Sequence, residues 1–117
     1  MSDQERAPDA GDLIWTDFDP RIGREKSGRR PALIVSPAAF YVASRFVIVC
    51  PIMARVRPFA SSVVLPDGLA IGGEILMSHV RSIDTMARGI ELVDEMVPNA
   101  VLMEVRAKLA TLLGIPS

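Results

Sequence analysis

The sequence has one cysteine, Cys50, and one histidine, His79, among its 117 residues. A single cysteine excludes an intrachain disulfide framework and a Cys-x-x-Cys redox pair, and these two residues cannot form a Cys/His zinc cage. Because stable disulfides are typical of oxidising compartments, we expect this protein to work in a reducing cytoplasm. The apolar run around Cys50 predicts a small buried side chain there.

Long apolar runs are absent as well. The longest uncharged stretch, Pro31 to Ser44, has 14 residues with two prolines and two serines, whereas a membrane-spanning helix needs roughly 20 apolar residues. The first ten residues are polar and acidic, where a signal peptide would be basic and then apolar. We therefore expect neither export nor a membrane partner.

The net charge of −1 hides three unlike blocks. Residues 1–19 sum to −5, residues 20–66 to +7 and residues 67–117 to −3, and Glu25 is the only acid of the basic block. Basic residues at loops and strand ends can form an ordinary solvated rim. The alternative is an anion site, because the planar fork of arginine suits phosphate and a positive field attracts a polyanion such as RNA.

Length and an apolar fraction of one half indicate a single globular domain, which we place at residues 11–115 after a flexible tail, residues 1–10. Residues 21–30 have little to bury and predict a loop. Short apolar and β-branched runs that end at proline or turn residues predict strands. These runs are 13–18, 32–35, 46–50, 61–65, 74–79 and 80–84.

After Pro98 the apolar residues recur at helical spacing, which predicts a helix with Asn99 as its N-cap. Gly114 and Pro116 are the residues expected just beyond its C-terminal end. Its apolar stripe is Val101, Leu102, Val105, Leu109, Leu112 and Leu113. Strands first, one helix last and no βαβ alternation predict a mainly β fold with a C-terminal α-helix, in which the helix packs on a small curled antiparallel sheet or barrel.

Several motifs resemble the MazF/PemK/Kid family of bacterial toxins. The opening run Gly11-Asp12-Leu13-Ile14-Trp15 is followed by Phe18-Asp19-Pro20 and by Gly23-x-Glu25-x-x-Gly28-x-Arg30-Pro31-Ala32. The resemblance continues to about Gly114 through Ser36-Pro37, Val49 to Pro51, Arg81-Ser82-Ile83-Asp84, Ala87-Arg88-Gly89 and the terminal helix. It therefore covers nearly the whole predicted domain.

This resemblance implies an SH3-like β-barrel that forms a homodimer and acts as an mRNA interferase without a cofactor or metal. Members of the family cut single-stranded RNA at short sequences and are neutralised by an acidic antitoxin that covers the RNA groove. Contact with DNA is expected only indirectly, through an antitoxin complex. Composition and charge by themselves agree with the fold class and an arginine-rich anion site, and they say nothing about RNA cleavage.

Metal-independent cleavage uses the 2′-OH of the substrate as nucleophile, so a protein must help remove its proton, stabilise the phosphate and protonate the leaving 5′-oxygen. The resemblance assigns the central arginine to Arg30, whose fork could hold the non-bridging oxygens. It assigns the loop glutamate to Glu25, as a proton acceptor or an orienter of Arg30. The alternative for Glu25 is a salt bridge within the loop.

The sequence departs from the family pattern at three places. Met53 stands where the family carries a catalytic threonine, Leu76 where some members have an arginine, and Ser78-His79 where an acid and a glutamine are common. His79 could have taken over proton transfer, because imidazole gives and takes protons near neutrality. The alternative is that the chain has kept the fold and lost or redirected the activity.

Further candidates for contacts with RNA phosphates or riboses lie around these positions, namely Arg29, Arg55, Arg57, Ser78 and Arg81. Trp15, Phe18, Phe46 and Phe59 are expected in the core or the groove wall, with base stacking as the alternative. Besides a toxin endoribonuclease, two other functions stay open: a catalytically weakened homologue that binds an antitoxin or another macromolecule, and a plain nucleic-acid-binding barrel.

Overall fold

The computed structural model describes residues 6–18, 29–54 and 61–116. Within them lie seven strands, two α-helices and a 3₁₀ turn, Met77–His79. The strands are β1 (Asp12–Asp17), β2 (Arg29–Ile34), β3 (Phe46–Met53), β4 (Ser62–Val64), β5 (Glu74–Leu76), β6 (Arg81–Asp84) and β7 (Ile90–Met96), and the helices are α1 (Ala38–Ser44) and α2 (Asn99–Leu112). The predicted class, a mainly β fold with a C-terminal helix, is confirmed.

All the strand pairs are antiparallel, in the order β4-β5-β3-β2-β1-β7. Strand β3 has two partners on one side, because Phe46–Val49 pair with β6 whereas Ile52 and Met53 pair with β5. The pairings of the described strands leave β4 and β7 at opposite ends of this path, so the sheet is curled but not closed. The groove described below lies beside the C-terminal end of β3, where the partner strand changes from β6 to β5.

The sheet carries an apolar cluster on each face. Leu13 of β1 belongs to one cluster and Ile14 to the other, since neighbouring residues of a strand point to opposite faces. Val105 of α2 packs in the first cluster, and Tyr41 of α1 packs against the second. Cys50 is buried in the first cluster, as expected, and burial raises the pKa of its thiol to about 12.

The predicted strands were right for β1, β2, β4 and β6 to within a few residues, whereas β3 and β5 needed correction. Strand β3 does not stop at Pro51 but runs on to Met53. Pro51 stands between the residues paired with β6 and those paired with β5. A proline, which has no N–H to donate, is tolerated there because Pro51 has no partner residue on β5 or β6. The predicted strand 74–79 was wrong beyond Leu76, because the chain turns into the 3₁₀ turn, closed by a bond from the Val80 N–H to the Met77 carbonyl.

Helix α2 was predicted correctly, but its N-cap was not. Pro98 is the cap residue and Asn99 is already helical, with its side-chain amide on the sulfur of Met103. Val105 of the apolar stripe is fully buried, whereas Leu112 and Leu113 are 45% and 63% exposed. No helix in the described part of the chain is both long and apolar enough to span a membrane.

The second half of the predicted tail is tied to the domain. Arg6 holds the buried carboxylate of Asp12 with two hydrogen bonds of 2.7 and 2.9 Å. The carboxylate of Asp9 accepts hydrogen bonds from the N–H groups of Ala10 and Ala38 and so joins this segment to the start of α1. For residues 1–5, which lie outside the described residues, the flexible tail stays a prediction.

Candidate functional site

A groove of about 840 Å³ lies where the start of β2, the end of β3 and the 3₁₀ turn meet. Its lining residues are Trp15, Phe18, Arg29–Pro31, Pro51–Ala54, Ala70–Gly72, Leu76 and His79–Arg81. By the chemical character of their side chains, we name two sets of lining residues: the cationic end is Arg29, Arg30, His79 and Arg81, and the apolar end is Ile52, Met53, Ala70, Ile71 and Leu76. The groove therefore combines positive charge with apolar surface in one depression.

The four side chains of the cationic end were all predicted from the sequence as site residues, and they come from two stretches of the chain, residues 29–30 and 79–81. Strand β2 begins with Arg29 and Arg30, His79 ends the 3₁₀ turn, and Arg81 opens β6. Ser78 is exposed on the same turn but does not line the groove. Glu25, Arg55 and Arg57 lie outside the described residues, and their roles stay predictions.

The two neighbouring arginines of β2 differ in their partners. An oxygen of the Glu91 carboxylate accepts a hydrogen bond of 2.6 Å from Arg29, although both side chains are about half exposed or more. Arg30 is exposed and has no side-chain hydrogen bond or ion pair among the residues that the structure describes. The guanidinium of Arg30 is therefore available to an anion, and that of Arg29 is already engaged.

Arg81 is held against an aromatic ring. Its guanidinium lies 5.2 Å from the centre of the Phe18 ring, and its Nη1 donates to the Phe18 carbonyl at 3.3 Å. A cation over an aromatic face is stabilised by the ring's quadrupole. The position of Arg81 in the groove thus depends on Phe18.

The 3₁₀ turn presents His79 to the groove. Met77 is fully buried and anchors the turn, whereas Ser78 and His79 are exposed. The hydroxyl of Ser78 lies 3.3 Å from Nδ1 of His79, within reach of a weak hydrogen bond. The imidazole is therefore free to meet a ligand with its other ring nitrogen.

Two aromatic side chains form part of the groove wall. Trp15 is 37% exposed, and Phe18 is half-buried with its ring packed against the second core cluster. This agrees with the prediction of core or groove wall for these two residues. Phe46 is half-buried on β3, and Phe59 lies outside the described residues.

The apolar end contains the two positions at which the sequence departs from the toxin pattern. Met53 is 49% exposed at the end of β3, and Leu76 is almost fully buried at the end of β5. The turn that carries Ala70 and Ile71 is held close to β3, since a Cβ at Gly73 would lie 2.1 Å from the Met53 carbonyl oxygen and Gly73 has a φ of +131°. Sequence reasoning missed this turn, for which the pair Gly72-Gly73 was the available signal.

Comparison with known proteins places the chain in a family. Residues 9–113 match the family described as PemK-like, MazF-like toxin of type II toxin-antitoxin system. The chain belongs to this family. The resemblance drawn from the sequence motifs is thereby confirmed over almost the whole length of the chain.

One relative of this toxin family is "Endoribonuclease toxin MazF" of Escherichia coli K12. It is 35% identical over 107 residues, which cover 92% of this chain and 95% of that protein. The crystal structure of MazF from Deinococcus radiodurans superposes with a TM-score of 0.83 at 41% identity, and covers 95% of this chain and 100% of its own. A crystal structure of MazE-MazF from the same organism superposes with a TM-score of 0.82 at 38% identity. The match covers 96% of this chain and 100% of that chain.

Proposed function

We propose that this protein is an endoribonuclease toxin that cleaves single-stranded mRNA at short sequences, with the 2′-OH of the substrate as nucleophile and without a metal. The observation that carries the proposal is the guanidinium of Arg30, which has no partner among the described residues and lies in a groove shared with His79 and Arg81. The endoribonuclease named among its E. coli relatives supports the same reaction class.

Arg30 has the central electrostatic role in this proposal. The attack of the 2′-oxygen on phosphorus adds negative charge to the non-bridging oxygens in the transition state. An arginine fork can donate two hydrogen bonds to these oxygens, and such charge-assisted bonds are strong when the donor is already in place. Because Arg30 has no partner in the described residues to give up, its guanidinium can bind a phosphate without breaking an ion pair.

Two residues are proposed for proton transfer. Glu25 would accept the 2′-OH proton or orient Arg30, and His79 would donate a proton to the leaving 5′-oxygen. The exposed position of His79 beside the groove supports this assignment, since a general acid must reach the reacting oxygen directly or through one water.

The remaining predicted residues would hold the strand on either side of the cut. Arg29 and Arg81 line the groove and suit backbone phosphates, and Ser78 could reach a ribose or phosphate oxygen from the adjacent turn. Arg55 and Arg57 are proposed for the same role on the basis of charge alone. The exposed edge of Trp15 offers a surface for a base.

We further propose an acidic antitoxin as protein partner, a homodimer as the working state and the cytoplasm as the compartment, with DNA reached only through an antitoxin complex. A related structure is a MazE-MazF complex, which supports the antitoxin. Exposed apolar side chains on and just after α2, among them Met103, Leu113 and Ile115, support contact with a further chain. Light scattering on the purified protein tests the dimer.

The experiment for the nuclease incubates single-stranded RNA with the wild type, with Arg30→Ala and with Arg106→Ala. Arg106 lies on α2 outside the groove lining, and its one side-chain hydrogen bond within residues 6–18, 29–54 and 61–116 goes to the Val35 carbonyl at 3.4 Å, so it is a matched arginine control. Cleavage by the wild type and Arg106→Ala but not by Arg30→Ala supports the proposal. Intact RNA with the wild type contradicts it.

A second candidate function rests on the apolar end of the groove. Met53 and Leu76 line the groove and offer no hydroxyl or guanidinium to a phosphate, and this favours a weakened nuclease that binds an antitoxin or another macromolecule. Expression of the chain alone in a bacterial host separates the candidates. Growth arrest that Arg30→Ala abolishes supports the nuclease, and normal growth together with binding of an acidic antitoxin peptide supports the binding module.

A further inference from the structure

Arg88 holds the end of β1 from outside the groove. Its Nη1 donates to the carbonyl oxygens of Phe18 at 2.5 Å and Asp17 at 3.2 Å. The side chain is half-buried, does not line the groove, and has no carboxylate partner among the described residues. Its charge is therefore directed at two backbone carbonyls.

Phe18 follows Asp17, the last paired residue of β1, so its carbonyl lies beyond the paired part of the strand. A half-buried carbonyl needs a hydrogen-bond partner, and the guanidinium groups of Arg88 and Arg81 provide two. The same Phe18 presents its ring to the guanidinium of Arg81. Backbone and ring of Phe18 thus connect Arg88 with a residue of the cationic end.

Arg88 is itself fixed by its turn. The backbone N–H groups of Ala87 and Arg88 both donate to the Asp84 carbonyl, at 3.1 and 2.9 Å. The hydroxyl of the buried Thr16 donates to the Gly89 carbonyl at 3.0 Å. The turn between β6 and β7 is therefore closed by its own backbone bonds and is bonded to β1 next to the Arg88 contact, through Thr16 and Gly89.

We propose that Arg88 is a positioning residue for RNA binding: its hold on the Asp17 and Phe18 carbonyls sets the Phe18 ring, and through that ring the Arg81 guanidinium in the groove. This rests on the proposed function, since it assigns a role within the same RNA site. Phe18 and Arg81 contact the strand in the ground state and in the transition state alike, so loss of the clamp weakens binding more than it slows chemistry.

The first test is steady-state cleavage of a short single-stranded RNA. Arg88→Ala raises KM about 10-fold and keeps kcat within about threefold of wild type. This pattern is expected when the lost contact binds the substrate equally in the ground state and the transition state. Arg88→Lys recovers part of the KM, because an ammonium can still donate to one of the carbonyls. Arg106→Ala, which also removes a guanidinium from a carbonyl, leaves both constants unchanged. A wild-type KM for Arg88→Ala overturns the proposal.

The second test asks whether Arg88 acts through Phe18. Phe18→Leu keeps an apolar side chain for the core but removes the ring, so adding Arg88→Ala to it changes KM by less than about twofold if the two residues act as a unit. Effects on KM that multiply in the double variant overturn the proposal. All variants are assayed well below their melting temperatures, so that unfolding does not enter KM.

A third measurement does not depend on RNA. Hydrogen exchange of the amides of Thr16, Asp17 and Phe18 is faster in Arg88→Ala than in the wild type, whereas Arg106→Ala leaves it unchanged. Unchanged exchange in Arg88→Ala overturns the clamp even if the protein cuts RNA. A wild type that neither binds nor cuts RNA, but whose β1 end loosens in Arg88→Ala, overturns the proposed function and the RNA role of Arg88, and upholds only the contact.

Discussion

The two ends of the groove differ in what they can do for an RNA strand. Within the described part of the chain, the cationic end carries a guanidinium without a partner, that of Arg30, two engaged ones, those of Arg29 and Arg81, and the imidazole of His79. The apolar end offers Met53, Leu76 and the turn around Ile71, without a charged side chain. Among the described lining residues, the proposed charge stabilisation and proton transfer rest with the cationic end, whereas Met53, Leu76 and Ile71 offer apolar contact.

Replacing Arg30 tests this division most severely. Arg30→Ala lowers kcat/KM by about 1,000-fold, because the transition-state phosphate loses a charged donor that is already in place. Arg29→Ala is the neighbouring control and costs about 10-fold or less, since Arg29 is engaged with Glu91 at 2.6 Å and acts on binding alone. Both values come from initial rates on one RNA. Equal losses in the two variants would contradict the distinction between an unpaired and a paired arginine.

His79 carries the next largest effect. His79→Ala lowers kcat by at least about 100-fold if the imidazole transfers a proton, as initial rates on one RNA will show. Ser78→Ala, which removes only the hydroxyl 3.3 Å from Nδ1, changes kcat by less than about threefold because that hydrogen bond is weak and exposed. Nearly full activity of His79→Ala would remove the residue from the proton-transfer step.

The apolar end can be made more like the cationic end. Met53→Thr raises kcat/KM about 10-fold, since a hydroxyl can donate to the phosphate where a thioether cannot. Met53 is 49% exposed, so the substitution leaves the core intact, and Val64→Thr, at the exposed last residue of β4, is the control. A loss or no change of activity in Met53→Thr would mean that the reacting phosphate does not reach the apolar end.

The smallest change releases Arg29. Glu91→Gln removes the carboxylate that holds the Arg29 guanidinium, so we expect RNA affinity at low salt to rise about two- to fivefold. Fluorescence anisotropy with a labelled RNA measures it, and the gain disappears at high salt because the contact is exposed. An affinity that stays the same at low salt would show that Arg29 does not contact the strand.

The fold was predictable where local pattern decides it. The runs at Leu13 and Ala32 and the helical spacing after Pro98 indicated β1, β2 and α2. Helix α1, seven residues without a side-chain cap, is too short for a period to show. Strand β7 contains Asp94 at a φ of +68°, and such acidic residues favour a turn by local preference. Pairing with β1 on both sides of Asp94, with a shift of register between the two paired parts, keeps this segment in the sheet.

The site was predictable at residues that a family motif or a rare residue type singles out. Arg30 came from the toxin motif and His79 from being the only histidine, and both line the groove. The apolar end depends on the close approach of Gly73 to the Met53 carbonyl, and the hold of Arg88 on Phe18 spans 70 residues. Contacts of this kind arise from tertiary packing and leave no periodic signal in the sequence.

The central claim, that the cationic end cuts RNA through the 2′-OH, is tested most directly by the ends of the products. Single-stranded RNA is digested by the wild-type protein in excess EDTA, and the chemical groups at the new ends are determined by mass spectrometry. The account predicts cleavage with a 2′,3′-cyclic phosphate on one fragment and a 5′-hydroxyl on the other. Products with a 5′-phosphate, or RNA left intact until a divalent metal is added, would contradict it.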